Sequence, residues 1–107
     1  GKNQTRLKKD SFRKLPIQID YGYSHEIIFS IDIPQNYKLN YDIEPIELSS
    51  EFGTYSFNVT RENSQLIVSR SLLTHAGTFP KEKYMEYVEF RRNIEKADNT
   101  KILLEKQ

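Results

Sequence analysis

Two histidines, a few serines and many carboxylates are the residues of this chain that could do chemistry, and their spacing argues against it. His25 and His75 stand fifty residues apart. A zinc site needs several His, Cys or carboxylate ligands at chelating spacing, and neither imidazole has them nearby. Both are expected at the surface, with no metal and no cofactor. Ser69 and Ser71 flank Arg70 with no Gly-x-Ser-x-Gly elbow and no adjacent His, so they read as the wet face of a strand rather than as nucleophiles. Ser49-Ser50 falls in an expected loop. The acids Asp20, Asp32, Asp42, Glu44, Glu47 and Glu51 would serve a glycosidase only as a pair held about 5–9 Å apart. Asp32 and Asp42 alternate with apolar neighbours, as solvated strand residues do. There are no cysteines, which excludes disulfides, thiolate nucleophiles and cysteine zinc sites. Four glycines, at Gly1, Gly22, Gly53 and Gly77, cannot build a Gly-rich phosphate loop. The expectation is a domain with no catalytic residues.

Binding is the more open question. Tyr21-Gly22-Tyr23 places two tyrosines around a glycine ahead of a strand, where they could stack on a sugar ring or seat a peptide. The competing reading has them capping the edge of the core with their hydroxyls in water. Asn3-Gln4-Thr5 and Asn58-Val59-Thr60 match the glycosylation triplet, but Asn58 sits within an expected strand.

The elements that would position these residues show in the alternation. Ile17 and Ile19 follow Pro16 at a spacing of two. Ile27, Phe29, Ile31 and Ile33 give four apolar positions at period two, the mark of a strand with one buried and one wet face. Pro34-Gln35-Asn36 turns the chain. Tyr37, Leu39, Tyr41 and Ile43 repeat the pattern up to Pro45, and a short Ile46/Leu48 piece follows. Tyr55, Phe57 and Val59 then alternate, and Glu62-Asn63-Ser64 supplies turn chemistry before Leu66, Val68 and Leu72. That pair is the clearest hairpin. Ile67 and Leu73 fall on its other face, which would allow cover on both sides.

The period changes after Pro80. Tyr84, Tyr87, Phe90, Ile94 and Ala97 recur at three and four, one face of a helix over about residues 80–97. Pro80 suits its first position, and Asp98-Asn99 its end, with Asn99 able to turn left-handed. Ile102-Leu103-Leu104 predicts a last strand buried on both faces. Together these predict a mainly β fold: an antiparallel β-sandwich of about 7–8 strands with one amphipathic helix before the last strand.

With 107 residues there is room for a single core. The expected division is a basic N-terminal segment over 1–13, serving as a linker or joining the sheet, and one domain over 14–107. Net charge is +1, so no global field draws nucleic acid or an anionic membrane. The basic start, Lys2, Arg6, Lys8, Lys9, Arg13 and Lys14 against Asp10, carries no interleaved aromatic platform and reads as a solvated segment. No apolar run approaches the ~20 residues of a membrane span. No signal peptide is expected, and Gly in place of Met at position 1 is expected of a piece cut from a longer chain.

The order of short motifs adds a resemblance. Arg13-x-x-Pro16, Tyr21-x-Tyr23, Ile33-Pro34-x-x-Tyr37, Glu44-Pro45, Phe52-Gly53-x-Tyr55 and Ser69-Arg70-x-Leu72 are followed by Tyr84, Phe90, Lys96-Ala97-Asp98 and Ile102-Leu103-Leu104. Over residues 13–106 the chain resembles the C-terminal β domain, itself of unknown function, of large transglutaminase-like proteins common in Bacteroidetes. Family members carry Gly in the turn where this chain has Gln35-Asn36, and Asn takes the same left-handed geometry. The resemblance implies a non-catalytic accessory domain that packs on, or positions, an upstream domain of the same polypeptide, in a periplasmic or cell-surface setting. The family's Cys-His-Asp site belongs to that upstream domain. A glycan- or peptide-binding module using Tyr21 and Tyr23 or a sheet edge is the alternative.

Overall fold

The computed structural model describes residues 15–107; the basic segment expected over 1–13 and Asn3 lie outside them. In chain order the elements are β1 (Ile17–Ile19), β2 (Tyr23–Asp32), β3 (Tyr37–Lys38), β4 (Ile46–Ser50), β5 (Gly53–Glu62), β6 (Gln65–Thr74), β7 (Gly77–Phe79), a 3-10 turn (Lys81–Lys83), α1 (Tyr84–Asp98) and β8 (Glu105–Lys106). Among the described residues the fold is mainly β, with eight short strands in three antiparallel sheets and one α-helix near the C-terminus. The largest sheet has four strands in the order β2-β6-β5-β4, and β1 pairs with β7 and β3 with β8. The two facing sheets expected of a sandwich are not shown by the described residues.

The hairpin forms as its pattern predicts. Asn63 takes a left-handed φ of 57° in the two-residue turn, which brings Glu62 opposite Gln65 and runs the pairing back to Gly53 opposite Thr74. Asn63 tolerates that geometry at little cost. Asn36 does the same at φ 75°, and Tyr37 N–H donates to the Pro34 carbonyl across that turn at 3.0 Å.

Three expected elements come out differently. The alternating run from Tyr37 to Ile43 yields only the two residues of β3, which among the described residues pairs with the equally short β8. Leu39 is nonetheless buried and Ile43 half-buried, so the run packs without a ladder. Ile102-Leu103-Leu104 is not a strand: Ile102 and Leu104 turn inward and Leu103 is exposed. Pro80 stands before the helix rather than in it, with ψ at 148°, and its carbonyl accepts the Lys83 N–H. Helical backbone begins at Lys81, and α1 ends at Asp98 without a left-handed residue. Asn99 has φ −97°, and its side-chain amide donates to the Glu95 carbonyl at 3.0 Å while Thr100 Oγ1 donates to Ala97 at 2.6 Å. These side chains satisfy helix carbonyls that would otherwise lack partners.

One face of the four-stranded sheet is covered. Tyr84, Phe90 and Ala97 are buried along α1, and Ile17, Phe52, Tyr84 and Phe90 form one core with Leu48, Phe79 and Tyr87 around it. Phe52 rests its ring 4.6 Å from Phe79 and 5.2 Å from Tyr87, centroid to centroid. At the other end of the sheet, Leu39, Val59, Leu66 and Val68 form a second core, closed by Ile31, Ile43, Ile102 and Leu104. The opposite sheet face carries Ser24, Ser30, Ser56, Asn58, Ser69 and Ser71, as the pairing register and the strand period dictate. Ile67 and Leu73 share that face, and Leu73 is exposed.

Candidate functional site

Two places on this scaffold gather functional groups. The first lies on the covered face between the two cores. Tyr55 on β5 and Arg70 on β6 project toward the C-terminal end of α1 and meet Asp98 there. Arg70 grips the carboxylate with two bonds, Nε to Oδ1 at 2.8 Å and a terminal nitrogen to Oδ2 at 2.9 Å. The Tyr55 hydroxyl donates to Oδ1 at 2.7 Å, and the guanidinium lies 5.3 Å from the Tyr55 ring centroid. A planar fork against a carboxylate, with a ring stacked below, suits arginine and not lysine.

The environment tunes all three groups. Burial, and then the Asp98 carboxylate, push the Tyr55 phenol up to about 12. Asp98 titrates below its ordinary value: burial works against its charge, but the bonds from Arg70 and Tyr55 outweigh it. The bond to Asp98 raises Arg70 further. A phenol held neutral and a carboxylate committed to a guanidinium leave neither a base nor a nucleophile at neutral pH. The arrangement can fasten the helix to the sheet.

The second place is β2. Tyr23 and His25 stack with ring centroids 6.0 Å apart, and Ile27 and Phe29 continue the same face at period two. His25, expected ahead of the strand, lies within it because β2 begins at Tyr23. Tyr21, just before the strand, is 83% exposed and Tyr23 is 50% exposed. Tyr21 therefore does not cap the core, and the two tyrosines stand at one end of a line of exposed apolar side chains. Gly22 keeps this approach narrow, since a Cβ there would meet the Thr74 carbonyl oxygen at 3.3 Å.

The other sequence candidates stay apart. Ser69 and Ser71 are on the open face, opposite Asn58 and Ser56 on β5, while His25 is on the other face. His75 is exposed after β6, and its N–H closes the ladder by donating to the Phe52 carbonyl at 2.9 Å. Asp42 makes a loose contact with Arg61 at 3.6 Å, and Glu51 pairs with Lys83 at 3.1 Å, a tie from the β4–β5 turn to the start of the helix. Among the described residues, no three His, Cys, Asp or Glu side chains gather as a metal site, and no helix is long and apolar enough to cross a membrane.

A model of DUF3858, a domain of unknown function with a solved structure, matches residues 2–104. The chain belongs to this family. No curated protein and no solved structure matches it. The DUF3858 match spans nearly the whole chain and names no accompanying domain. Three of the short motifs within this DUF3858 chain meet in space, since Phe52-Gly53-x-Tyr55, Ser69-Arg70 and Lys96-Ala97-Asp98 each supply one member of the Tyr55–Arg70–Asp98 cluster. Sequence reasoning singled out each motif and not the contact between them.

Proposed function

We propose that this DUF3858 domain is a non-catalytic accessory domain, the C-terminal part of a larger transglutaminase-like protein, and that it packs on an upstream domain of the same polypeptide. The observation that carries this is the face of β2. Tyr23, Ile27 and Phe29 lie on the same side of the sheet as the helix, yet beyond its reach, and Phe29 is 48% exposed. A contiguous apolar stripe of this kind marks an interaction surface. The Tyr55–Arg70–Asp98 cluster supports the non-catalytic part, because its ionisable groups are spent on one another.

A second reading is favoured by Tyr21, whose ring is almost wholly in solvent: a module that binds glycan or peptide through Tyr21 and Tyr23. The two readings separate on variants. If Tyr21 and Tyr23 bind a ligand, Tyr21→Ala and Tyr23→Ala leave the melting temperature nearly unchanged and abolish binding in a glycan or peptide screen. If β2 seats an upstream domain, Phe29→Ser weakens association with the separately expressed upstream portion of the gene product, measured by calorimetry, and Tyr21→Ala does not. Equal affinity of Phe29→Ser and the unaltered chain for that portion would sink the accessory reading.

A further inference from the structure

We infer that β2 is a self-complementary edge through which two copies of this chain pair, strand against strand, about a two-fold axis at Ile28. The inference stands apart from the upstream-domain reading, because its hydrogen bonds lie along the backbone edge of β2 and its central side chain, Ile28, is on the face opposite the apolar stripe.

The backbone of β2 fixes which groups are available. The N–H of Ile33 donates to the Ser64 carbonyl at 2.8 Å, one step beyond the pairing of Asp32 with Gln65. Bonded pairs in an antiparallel ladder recur at every second residue. Ile31, Phe29, Ile27, His25 and Tyr23 therefore direct their backbone groups to β6. Ser24, Glu26, Ile28, Ser30 and Asp32 direct theirs outward, and among the described residues no strand takes them.

Natural sheets blunt such edges with lysine, proline, bulges or short strands. β2 has none of these, and of charged side chains it carries the acids Glu26 and Asp32. It is ten residues long, pairs with β6 without a bulge, and contains neither Lys nor Pro. Its most conspicuous residue is Ile28, an isoleucine on the serine-rich face that is 72% exposed.

Register selects the axis. A two-fold perpendicular to the sheet keeps like faces together, so residues of the same parity must oppose. Centring the pair on Phe29 sets Glu26 against Asp32 of the second copy, two like charges directly opposite. Centring it on Ile27 sets Glu26 against Ile28. Centring it on Ile28 buries that side chain against its own counterpart and places Glu26 opposite Ser30 and Ser24 opposite Asp32, so each carboxylate faces a hydroxyl donor. On the other face Ile27 meets Phe29 and His25 meets Ile31, pairs of the aromatic and β-branched kind that stabilise sheets. All the outward backbone groups are then in bonded positions. The result is one eight-stranded sheet in which the two apolar stripes lie side by side.

The test uses the fact that the chain has no cysteine of its own. Bonded antiparallel partners have Cα atoms about 5.5 Å apart and Cβ atoms toward the upper end of about 4.5–5.5 Å. That is wider than the roughly 3.5–4.5 Å of a direct disulfide, so a short bifunctional thiol reagent is used. An Ile28→Cys chain is expected to cross-link through that reagent to a covalent dimer, while a Ser24→Cys chain, whose thiols would lie far apart on opposite sides of the axis, does not. Sedimentation equilibrium of the unaltered chain should show a dimer that Ile28→Lys converts to monomer with the circular dichroism and melting profile of a folded chain. A monomeric unaltered chain, a dimer that survives Ile28→Lys, or faster cross-linking through Ser24→Cys would each overturn the inference.

Discussion

Asp98 accepts three hydrogen bonds from two residues, Tyr55 and Arg70, and its chemistry contributes to the pH response of the fold. Its carboxyl titrates lower in the folded chain than in the unfolded one, so the unfolded state binds the extra proton as the solution is acidified. The stabilisation it brings is complete above the ordinary carboxylate pKa and is lost as pH falls through the folded value. Tyr55 acts at the other end of the scale. Its pKa of about 12 exceeds the ordinary 10.0, so its contribution is complete below pH 10 and disappears between 10 and 12 as the unfolded phenol ionises first. Asp98→Asn is expected to flatten the acid limb of a denaturation series, and Tyr55→Phe the alkaline limb, at a cost of about 1 kcal/mol near neutrality for the lost hydroxyl bond. A Tyr55→Phe chain with the same alkaline limb as the unaltered protein would show that the phenol plays no such part. None of this was legible residue by residue. Asp98 reads in sequence as a helix stop and Arg70 as a polar strand position, and what makes them partners is a contact across 28 positions of chain that no local period encodes.

At the scale of elements, local signals decided which expectations held. The β5–β6 hairpin was legible because its alternation and its turn residue are both local, with Asn63 supplying the left-handed turn. The helix was legible from the spacing of Tyr84, Tyr87, Phe90, Ile94 and Ala97, although Pro80 proved to precede it. The run Tyr37–Ile43 alternates as well as any strand in the chain, yet a strand also needs a partner of matching length, and β8 offers two residues. The aromatic stripe on β2 was legible as alternation but not as an exposed surface, since exposure depends on how far α1 reaches. The helix itself is held by burial, for Phe90 is only 7% exposed within the first core. Phe90→Asp removes that packing and buries a carboxylate with no cationic partner in the core, a loss of about 3–5 kcal/mol. At roughly 4–8 °C per kcal/mol for a domain of this size, the melting temperature should fall by tens of degrees. An unshifted, cooperative melt would mean that α1 is not packed on the sheet.

At the scale of the whole molecule, the described chain is long and thin, 56 × 24 × 22 Å with a radius of gyration of 17.6 Å, where a compact domain of this length has about 12–13 Å. The ten-residue strands β2, β5 and β6, about 34 Å each at strand rise, supply much of this length and carry one core toward each end. These strands run between the two cores, and midway the apolar packing gives way to the Tyr55–Arg70–Asp98 cluster, at the point where the chain leaves α1 to cover the second core with Ile102 and Leu104. The cluster therefore adds a side-chain tie, from helix to sheet, between two packing units that otherwise share the strand ladders. Arg70 and Asp98 are partly exposed, at 23% and 37% of their side chains, so solvent screening keeps their direct worth to about 1 kcal/mol. The larger effect of Arg70→Ala should be on cooperativity. In the unaltered chain, amides of α1 and those beside Leu66 and Val68 are expected to exchange hydrogen with similar opening free energies. In Arg70→Ala, the α1 amides should open first, and the second core should keep its protection as a separate unit. If instead both sets lost protection equally, the coupling would run through the β2–β6 and β5–β6 ladders, and the cluster would be one surface ion pair among others.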